Sequence, residues 1–253
     1  MKKYLLFLCA MLMVLGSAAI ASADLLTSAI TNPSFEDPVL PDGTWTLNPN
    51  GNFAPGDPTN PVPGWHVTSL NNLGTDVGIY NNTGHAVYGG VAPEGNNMAY
   101  INLSNPYIGY VNDYLILSQW VNSVTITEGT TYTLFADIGA RANLNPAIGM
   151  WWLQLYALNP DGITQNWVSQ SFGNPSIGNF TTQSVSYLAD PTYDGWTLGI
   201  ALVAAVNNQT ESYQINFDNV QLDVTAVPEP ATMFLLGFGL IGVGVFVRRK
   251  FKR

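Results

Sequence analysis

Residues Tyr213–Val224 read YQINFDNVQLDV, and hydrophobic residues alternate with polar ones along most of this stretch. Such alternation is typical of a β-strand with one buried face. The hydrophobic positions change parity midway, from Tyr213, Ile215 and Phe217 to Val220, Leu222 and Val224. Because one inserted residue returns both sets to the same face, the sequence predicts a long strand with a β-bulge at Asp218-Asn219.

Working outward from this strand, ten more segments have a strand-like pattern. They are Ala29–Phe35, Gly64–Thr68, Val77–Tyr80, Met98–Leu103, Tyr114–Ile126, Thr130–Gly139, Met150–Leu158, Trp167–Ser171, Thr182–Tyr187 and Trp196–Val203. Pro38–Pro63 is rich in Pro and Gly and predicts a long irregular loop. No segment between the termini keeps a 3.6-residue apolar period for three turns, so the sequence predicts an all-β, antiparallel sandwich.

The N-terminal end has the features of a secretory signal peptide. Lys2 and Lys3 precede an apolar run, Tyr4–Leu15, and Ala21-Ser22-Ala23 supplies a small-residue cleavage site. We therefore predict a signal peptide at residues 1–23 and an exported domain at residues 24–226. The single cysteine, Cys9, lies inside the signal peptide, so the exported domain has neither a disulfide nor a thiolate zinc site.

The C-terminal end, residues 227–253, combines three features. Pro228-Glu229-Pro230 precedes an uncharged segment at residues 231–247, and basic residues follow at 248–253. As a helix the uncharged segment measures about 25 Å, the short end of what a bilayer requires, and the basic tail would stay cytoplasmic. This order resembles the PEP-CTERM sorting signal. The resemblance implies an exosortase-type transpeptidase partner and transient anchoring in the inner membrane; an ordinary single-pass anchor is the alternative.

The charge of the exported domain restricts its partners. Sixteen of the seventeen acids lie in it, but Arg141 is its only Lys or Arg, giving a formal charge of about −15. Such a surface repels phosphate backbones, so nucleic acid is excluded as a partner. An acidic surface is compatible with binding divalent cations or neutral sugars. The alternative is that the acidic residues only keep the domain soluble.

Five short motifs resemble the galactose-binding-like jelly rolls of carbohydrate-binding modules: Thr31–Glu36, Pro63–Trp65, Ala92–Ile101, Gly129–Leu134 and Phe217–Leu222. The resemblance implies a jelly-roll β-sandwich and a structural calcium ion near its first and last strands. Carried over by position, Glu36 and Asp218 become the candidate calcium ligands. The alternative for both carboxylates is a cap or turn hydrogen bond.

Aromatic residues are the main sign of a ligand, since sugar rings bind to flat apolar faces flanked by polar groups. Adjacent residues of a strand face opposite sides, so at most one of Trp151 and Trp152 lies in the core. Trp65 follows a Pro-Gly corner and is a third candidate platform. Asn96, Asn97 and Arg141 supply candidate hydrogen-bonding groups. The alternative is that these aromatic residues fill the core.

We therefore expect a non-catalytic protein of the cell envelope or extracellular matrix that binds an exopolysaccharide or another glycan. The chain contains no G-x-S-x-G, H-E-x-x-H or phosphate-loop motif. Ala92–Ile101 and Phe217–Leu222 also resemble calcium-dependent cyclases of indole terpenoids, which would make Asp218 or Asp223 a catalytic acid. A matrix protein without a ligand is the third alternative.

Overall fold

The computed structural model describes residues 26–46, 48–49, 53–69, 75–84, 92–103, 113–143, 149–206 and 213–226. Within them are twelve strands and two short 3₁₀-helices, Thr27–Ala29 and Pro191–Tyr193. The strands are β1 (Asn48–Pro49), β2 (His66–Ser69), β3 (Thr75–Asn81), β4 (Asn97–Leu103), β5 (Asp113–Thr125), β6 (Thr130–Ala140), β7 (Gly149–Leu158), β8 (Gln165–Gly173), β9 (Ser176–Ile177), β10 (Phe180–Leu188), β11 (Thr197–Val206) and β12 (Tyr213–Ala226).

The strands form two sheets that pack face to face, which confirms the predicted β-sandwich. The larger sheet has the order β1-β3-β4-β12-β6-β10, with β9 paired to β6, and the smaller sheet has the order β2-β5-β11-β7-β8. All ladders are antiparallel except β6–β9. Alternate residues of each strand point between the sheets, and this face of β6 carries Tyr132, Leu134, Ala136 and Ile138, all buried. This inner face therefore forms the core of the sandwich.

The bulge in β12 is confirmed. The register between β12 and β6 shifts between Asp218 and Gln221, and Asn219 has a φ of 50°. Hydrophobic side chains on both sides of the shift enter the same core, namely Tyr213, Ile215, Phe217, Val220 and Leu222. The extra residue thus keeps one face of a long strand buried.

The N-terminal segment differs from the prediction, because Ala29–Phe35 is not a strand. Positive φ angles at Asn32 (52°) and Phe35 (57°) interrupt any extended run. The backbone of Thr31 bonds to the Gln119 side chain at 2.9 and 2.6 Å, and the carbonyl of Pro33 accepts the Val220 N–H at 3.0 Å. The segment therefore links the two sheets instead of joining either one.

The predicted loop at Pro38–Pro63 is only partly irregular. It contributes the two-residue strand β1 and the isolated bridges Trp45–Tyr80 and Phe53–Val67. The predicted signal peptide, the sorting motif Pro228-Glu229-Pro230 and the segment at 231–247 lie outside the described residues. In the part that is described, no helix has the length and apolarity needed to span a membrane.

Candidate functional site

Two of the three candidate tryptophans belong to the core. Trp65 is 0% exposed, its ring centroid lies 5.5 Å from that of Phe35, and its Nε1–H donates to the Asn32 carbonyl at 3.2 Å. Trp151 is also buried in the main core. The expectation that Trp65 offers a ring face to a ligand is therefore corrected, since its indole fills the space between the N-terminal segment and the sheets.

Trp152 lies on the outer face of the smaller sheet and is partly exposed. The predicted division between Trp151 and Trp152 is confirmed, because strand alternation sends the two indoles to opposite faces. Trp152 packs edge-on against Tyr114, with ring centroids 6.4 Å apart. It thus belongs to an aromatic layer outside the main core.

Glu36 organises the segment before β4. Its Oε1 accepts the backbone N–H groups of Asn96 and Asn97, each at 2.8 Å. Gly95 makes this approach possible, since a Cβ there would lie 2.3 Å from Glu36 Oε1 and the residue has a φ of 65°. Asn97 is buried, and its Nδ2 donates to the carbonyls of Phe35 (3.2 Å) and Pro38 (3.0 Å). Asn97 is therefore a structural link, whereas Asn96 remains exposed.

Asp218 is fully buried at the bulge of β12. Its Oδ2 accepts the Glu94 N–H at 2.9 Å, and its Oδ1 accepts the Asn219 N–H at 2.7 Å. Burial raises the pKa of Asp218 to about 8; the two N–H donors act against this rise, and the nearby Glu94 and Asp137 carboxylates add to it. Its carboxyl is therefore mostly protonated at neutral pH.

Asp137 lies directly across from Asp218 in the ladder between β6 and β12. It accepts hydrogen bonds from Asn219 Nδ2 at 2.9 Å and from the Thr182 hydroxyl at 2.5 Å. The regular register before the bulge thus places two acids at opposite positions on the larger sheet. Asp223, the other candidate acid of this strand, lies beyond the bulge and pairs with Thr133.

The donor set near the predicted calcium site has the right chemistry. Glu36 and Asp218 both contact the segment Ala92–Asn97, and Asn97 Oδ1 is buried with no hydrogen-bond partner among the described residues. Calcium prefers oxygen ligands of these types. The described residues contain no group of three or more His, Cys, Asp or Glu arranged to hold a metal. Any calcium ion there would need backbone carbonyls to complete its shell.

Arg141 lies apart from these residues and from Trp152. It follows β6, and its Nη1 makes a long contact of 3.4 Å with Gln214 Oε1. Gln214 pairs with Asn102 near the end of β4, whereas Asn97 begins that strand. The structure therefore does not join Arg141, Asn97 and Trp152 into one binding surface.

A cleft that the sequence did not reveal lies on the outer face of the smaller sheet. Its lining comes mainly from β2 and β5, and the central strand β11 beside them presents the small residues Gly199, Ala201 and Ala205 on this face. A Cβ at Gly199 would lie 2.4 Å from the Trp120 ring, so the indole rests on the glycine backbone. Small residues on the central strand thus leave room for large rings from its neighbours.

Those rings come from β5, β7 and β8. Trp120 of β5 meets Tyr156 of β7 edge-on at 6.3 Å, and Tyr156 meets Trp167 of β8 at the same distance. Trp167 is 66% exposed at the edge of the sheet. The aromatic row therefore runs from a packed centre to an open edge.

The cleft has a volume of about 380 Å³. Its lining consists of His66, Thr68, Tyr114, Ile116, Ser118, Gln119, Trp120, Tyr156, Gln165, Trp167 and Ile200. Aromatic faces, hydroxyls and amides thus surround one space, and no described residue of its lining carries a carboxylate, ammonium or guanidinium group. Burial lowers the pKa of His66, which favours a neutral imidazole. The described part of the lining is therefore uncharged at neutral pH.

A buried amide holds Tyr156 in place. The Tyr156 hydroxyl donates to Gln154 Oε1 at 2.5 Å, and Gln154 Nε2 donates to Gln170 Oε1 at 3.3 Å. Burial raises the pKa of Tyr156 to about 12, although a hydrogen bond from Trp167 acts against this rise. The ring is thus fixed by neutral hydrogen bonds. The sequence does show that Trp152, Gln154 and Tyr156 lie on one face of their strand, because they alternate along it. It does not show which strands lie beside that strand.

Comparisons with known proteins identify both parts of the chain. The family described as HpiC1 cyclase matches residues 27–223, and the PEP-CTERM protein-sorting motif matches residues 226–250. The second match confirms the predicted sorting signal and indicates export with membrane-anchored sorting at the C-terminal end. Among curated proteins there is no significant match.

Solved structures with a similar fold include the Stig cyclase FisC from Fischerella sp. TAU, bound to (3Z)-3-(1-methyl-2-pyrrolidinylidene)-3H-indole. The two chains share 25% identity over 79% of this chain and 97% of that chain, with a TM-score of 0.59. A cyclase from the same source in complex with 4-(1H-indol-3-yl)butan-2-one shares 24% identity over 79% and 98% of the two chains, with a TM-score of 0.57. TmCBM61 in complex with β-1,4-galactotriose shares 13% identity over 77% and 96%, with a TM-score of 0.43. The chain belongs to the HpiC1 cyclase family and carries a PEP-CTERM protein-sorting motif behind that domain.

Proposed function

We propose that the exported domain binds a neutral glycan in the aromatic cleft of the smaller sheet, without catalysis. The observation that carries this proposal is the lining of that cleft: aromatic rings lie beside hydroxyls and amides, and no described residue of the lining is charged. Rings of Trp and Tyr suit the C–H faces of a sugar, and amides suit its hydroxyls. Glycoside hydrolysis would need a pair of carboxylates, which the described residues of this lining do not supply.

Binding can be tested with single substitutions in the cleft. Trp167→Ala should weaken retention on a neutral polysaccharide gel by about 1–3 kcal/mol, the usual scale for a truncated contact residue, while the melting temperature changes little. Trp45→Ala is the matched control, because Trp45 is an exposed tryptophan that bridges to Tyr80 on the other sheet. If the wild type is retained on no neutral polysaccharide, or both variants lose retention equally, the domain is not a glycan-binding module of this kind.

The sorting motif supports an exported location for this proposed activity. We expect an exosortase-type transpeptidase to recognise Pro228-Glu229-Pro230 and release the domain to the cell surface or to an exopolysaccharide matrix, while the basic tail stays cytoplasmic. Mass spectrometry of the protein recovered from its native host tests this. A mature protein that still ends in Phe251-Lys252-Arg253 would contradict processing.

Acid-assisted cyclisation is the second candidate function. Membership of the cyclase family supports it, as does the buried, largely protonated Asp218 with Asp137 opposite to it. This pair lies on the larger sheet and the aromatic cleft lies on the smaller one, so the two candidates use different surfaces. A protonated acid is the form that can donate a proton to a substrate.

The two candidates are separable by titration with 4-(1H-indol-3-yl)butan-2-one as the probe. The cyclase candidate predicts binding that Asp218→Asn weakens and Trp167→Ala leaves intact. Asp223→Asn tests the other candidate acid of the same strand, and it should bind the probe like the wild type if Asp218 is the acid. Absence of binding in the wild type would remove the support for an indole substrate.

A structural calcium ion at Glu36 and Asp218 is part of the proposal. Two observations support it: the candidate donors are oxygen atoms, and Asn97 Oδ1 has no hydrogen-bond partner among the described residues. A bound cation would favour the ionised form of Asp218, so the calcium role and the proton-donor role exclude one another at this residue. A calcium titration therefore also tests the cyclase candidate, because calcium binding at Asp218 would argue against its role as a proton donor.

A further inference from the structure

The aromatic cleft crosses the smaller sheet from one edge to the other. The order of this sheet is β2-β5-β11-β7-β8, so β2 and β8 are its edge strands. The lining includes His66 and Thr68 from β2 and Gln165 and Trp167 from β8. Neighbouring strands lie about 4.8 Å apart, so the distance across the sheet from β2 to β8 is about 19 Å. The cleft is therefore longer than a single sugar ring.

The rings of the cleft lie in one row across the strands. Trp120 of β5 and Tyr156 of β7 both pair with Gly199 of β11, and Tyr156 in turn pairs with Trp167 of β8. Cross-strand partners stand side by side on the same face of a sheet, so this row is perpendicular to the strands. The row thus gives the cleft a long axis that runs across the sheet.

Hydrogen-bonding groups accompany the rings at both ends of this axis. At the β2 end, His66 lies across from Ser118, and Thr68 is exposed. At the β8 end, Gln165 is exposed. All four residues line the cleft. A few well-placed polar groups among rings are what fixes the orientation of a bound ligand. A ligand that reaches both edge strands would therefore find such groups at each end.

Charge restricts the ligand along the whole axis. From β2 to β8, the described residues of the lining are uncharged at neutral pH, whereas the exported domain has a formal charge of about −15. An acidic polysaccharide would bring repeated negative charges towards this domain without meeting a cation in the described part of the cleft. A neutral polysaccharide avoids that repulsion at every sugar unit.

We propose that the cleft binds an interior segment of a linear neutral polysaccharide, whose chain lies across the strands from β2 to β8. This inference rests on the proposed glycan binding and specifies its ligand. Successive sugar units would contact the aromatic row on one side and meet polar side chains at both edge strands. A site for one sugar would need only part of this length, and its residues would not have to reach both edges of the sheet.

The test is the dependence of affinity on ligand length. The protein is the exported chain purified from its native host. The probes are oligosaccharides from the disaccharide to the hexasaccharide, prepared by partial hydrolysis of the neutral polysaccharide that retains the wild type. Calorimetric titration should show an association constant that rises by at least about tenfold over this series, because only the longer chains reach contacts at both edge strands.

One substitution at each end shows whether the chain spans the sheet. Thr68→Val removes a hydroxyl at β2 and keeps a β-branched side chain, and Gln165→Ala removes an amide at β8. Each should weaken hexasaccharide binding by about two- to tenfold, the usual scale for one neutral hydrogen bond. The two losses should multiply in the double variant, because the sites are far apart. At most one of the two variants should affect the disaccharide, which is too short to reach both ends.

The matched controls are Thr225→Val and Gln221→Ala, which replace exposed residues of β12 on the larger sheet and should bind the hexasaccharide like the wild type. Melting temperatures check that all variants are folded. Equal affinities for the disaccharide and the hexasaccharide would overturn the proposal but not glycan binding, provided that Trp167→Ala still loses retention. A loss of hexasaccharide binding at only one end would overturn the span across the sheet. A wild type retained on no neutral polysaccharide would overturn this proposal and the proposed function together.

Discussion

The indole of Trp120 rests directly on the backbone of Gly199, where any Cβ would approach the ring to 2.4 Å. The two residues lie opposite each other in the ladder between β5 and β11. A glycine at the centre of a strand weakens it, and such a glycine often marks a close approach of another group. Here the approaching group is the ring that lines the cleft. The shape of the cleft therefore depends on the absence of a side chain at position 199.

Gly199→Ala should displace Trp120 and damage the cleft. Overpacking of this kind costs about 1–3 kcal/mol of unfolding free energy, because the ring has to leave its preferred position. Retention on a neutral polysaccharide gel should fall as well, because Trp120 lines the cleft. Gly56→Ala is the control, since nothing lies within 4 Å of a Cβ built there. Urea unfolding of both variants, read by tryptophan fluorescence, makes the comparison; equal stabilities would mean that Trp120 moves aside freely.

The three tryptophans predicted as binding platforms should differ in how much their replacement destabilises the domain. Trp65→Ala and Trp151→Ala each remove a buried indole and should cost about 3–5 kcal/mol. Trp152→Ala removes a partly exposed ring of the outer aromatic layer and should cost about 1–2 kcal/mol. Thermal melts of the three variants test this ranking. A Trp65 variant that melts like the wild type would mean that its indole is not part of the core.

Alternation along the strands was enough to predict the sandwich. Each long strand keeps one buried face, so period-two patterns such as the one in β6 identify the core directly. The bulge in β12 followed from the same rule, because the change of parity at Asp218-Asn219 has only one simple structural solution. The rule failed for the N-terminal segment, Ala29–Phe35. Its hydrophobic residues, Ile30 and Phe35, are buried, but side-chain hydrogen bonds and positive φ angles replace the ladder.

The cleft was not predictable because it depends on which strands are neighbours. Trp120, Tyr156 and Trp167 are far apart in the sequence and meet only because β5 and β7 flank β11, with β8 next to β7. Nothing in a single sequence fixes that order. Glu36 and Asp218 were predictable as a pair, because the resemblance placed both near the ends of the domain. Their actual partners, backbone N–H groups of residues 94–97, leave no local pattern in the sequence.

Calcium should stabilise the domain through Glu36. At a hundred times its dissociation constant, a ligand adds about 2.7 kcal/mol, or about 5–10 °C in melting temperature for a domain of this size. Glu36→Gln should melt like the wild type in chelator, because the amide oxygen still accepts the N–H groups of Asn96 and Asn97. It should lose the calcium response. Glu128→Gln, which removes an exposed acid elsewhere, should keep that response; a Glu36 variant that also keeps it would exclude Glu36 as a ligand.

Asp218 should make the domain less stable as the pH rises. Burial raises the pKa of Asp218 in the folded state to about 8, against 3.8 for the ordinary carboxyl. Between these values the folded state holds a proton that the unfolded state has released, so unfolding free energy falls with pH, by at most about 1.4 kcal/mol per unit. The stabilisation is fully present below about pH 4 and is lost as the pH passes through about 8.

Asp218→Asn removes this titration and keeps a similar shape, so its unfolding free energy should vary less between pH 5 and pH 8. Urea melts of both proteins in chelator, at several pH values across that range, give the slopes. In millimolar calcium the wild-type slope should flatten, because a bound cation lowers the pKa of an adjacent carboxyl. Equal slopes for wild type and variant in chelator would show that the buried carboxyl of Asp218 is already ionised at pH 5, and the acid role at this bulge would then be excluded.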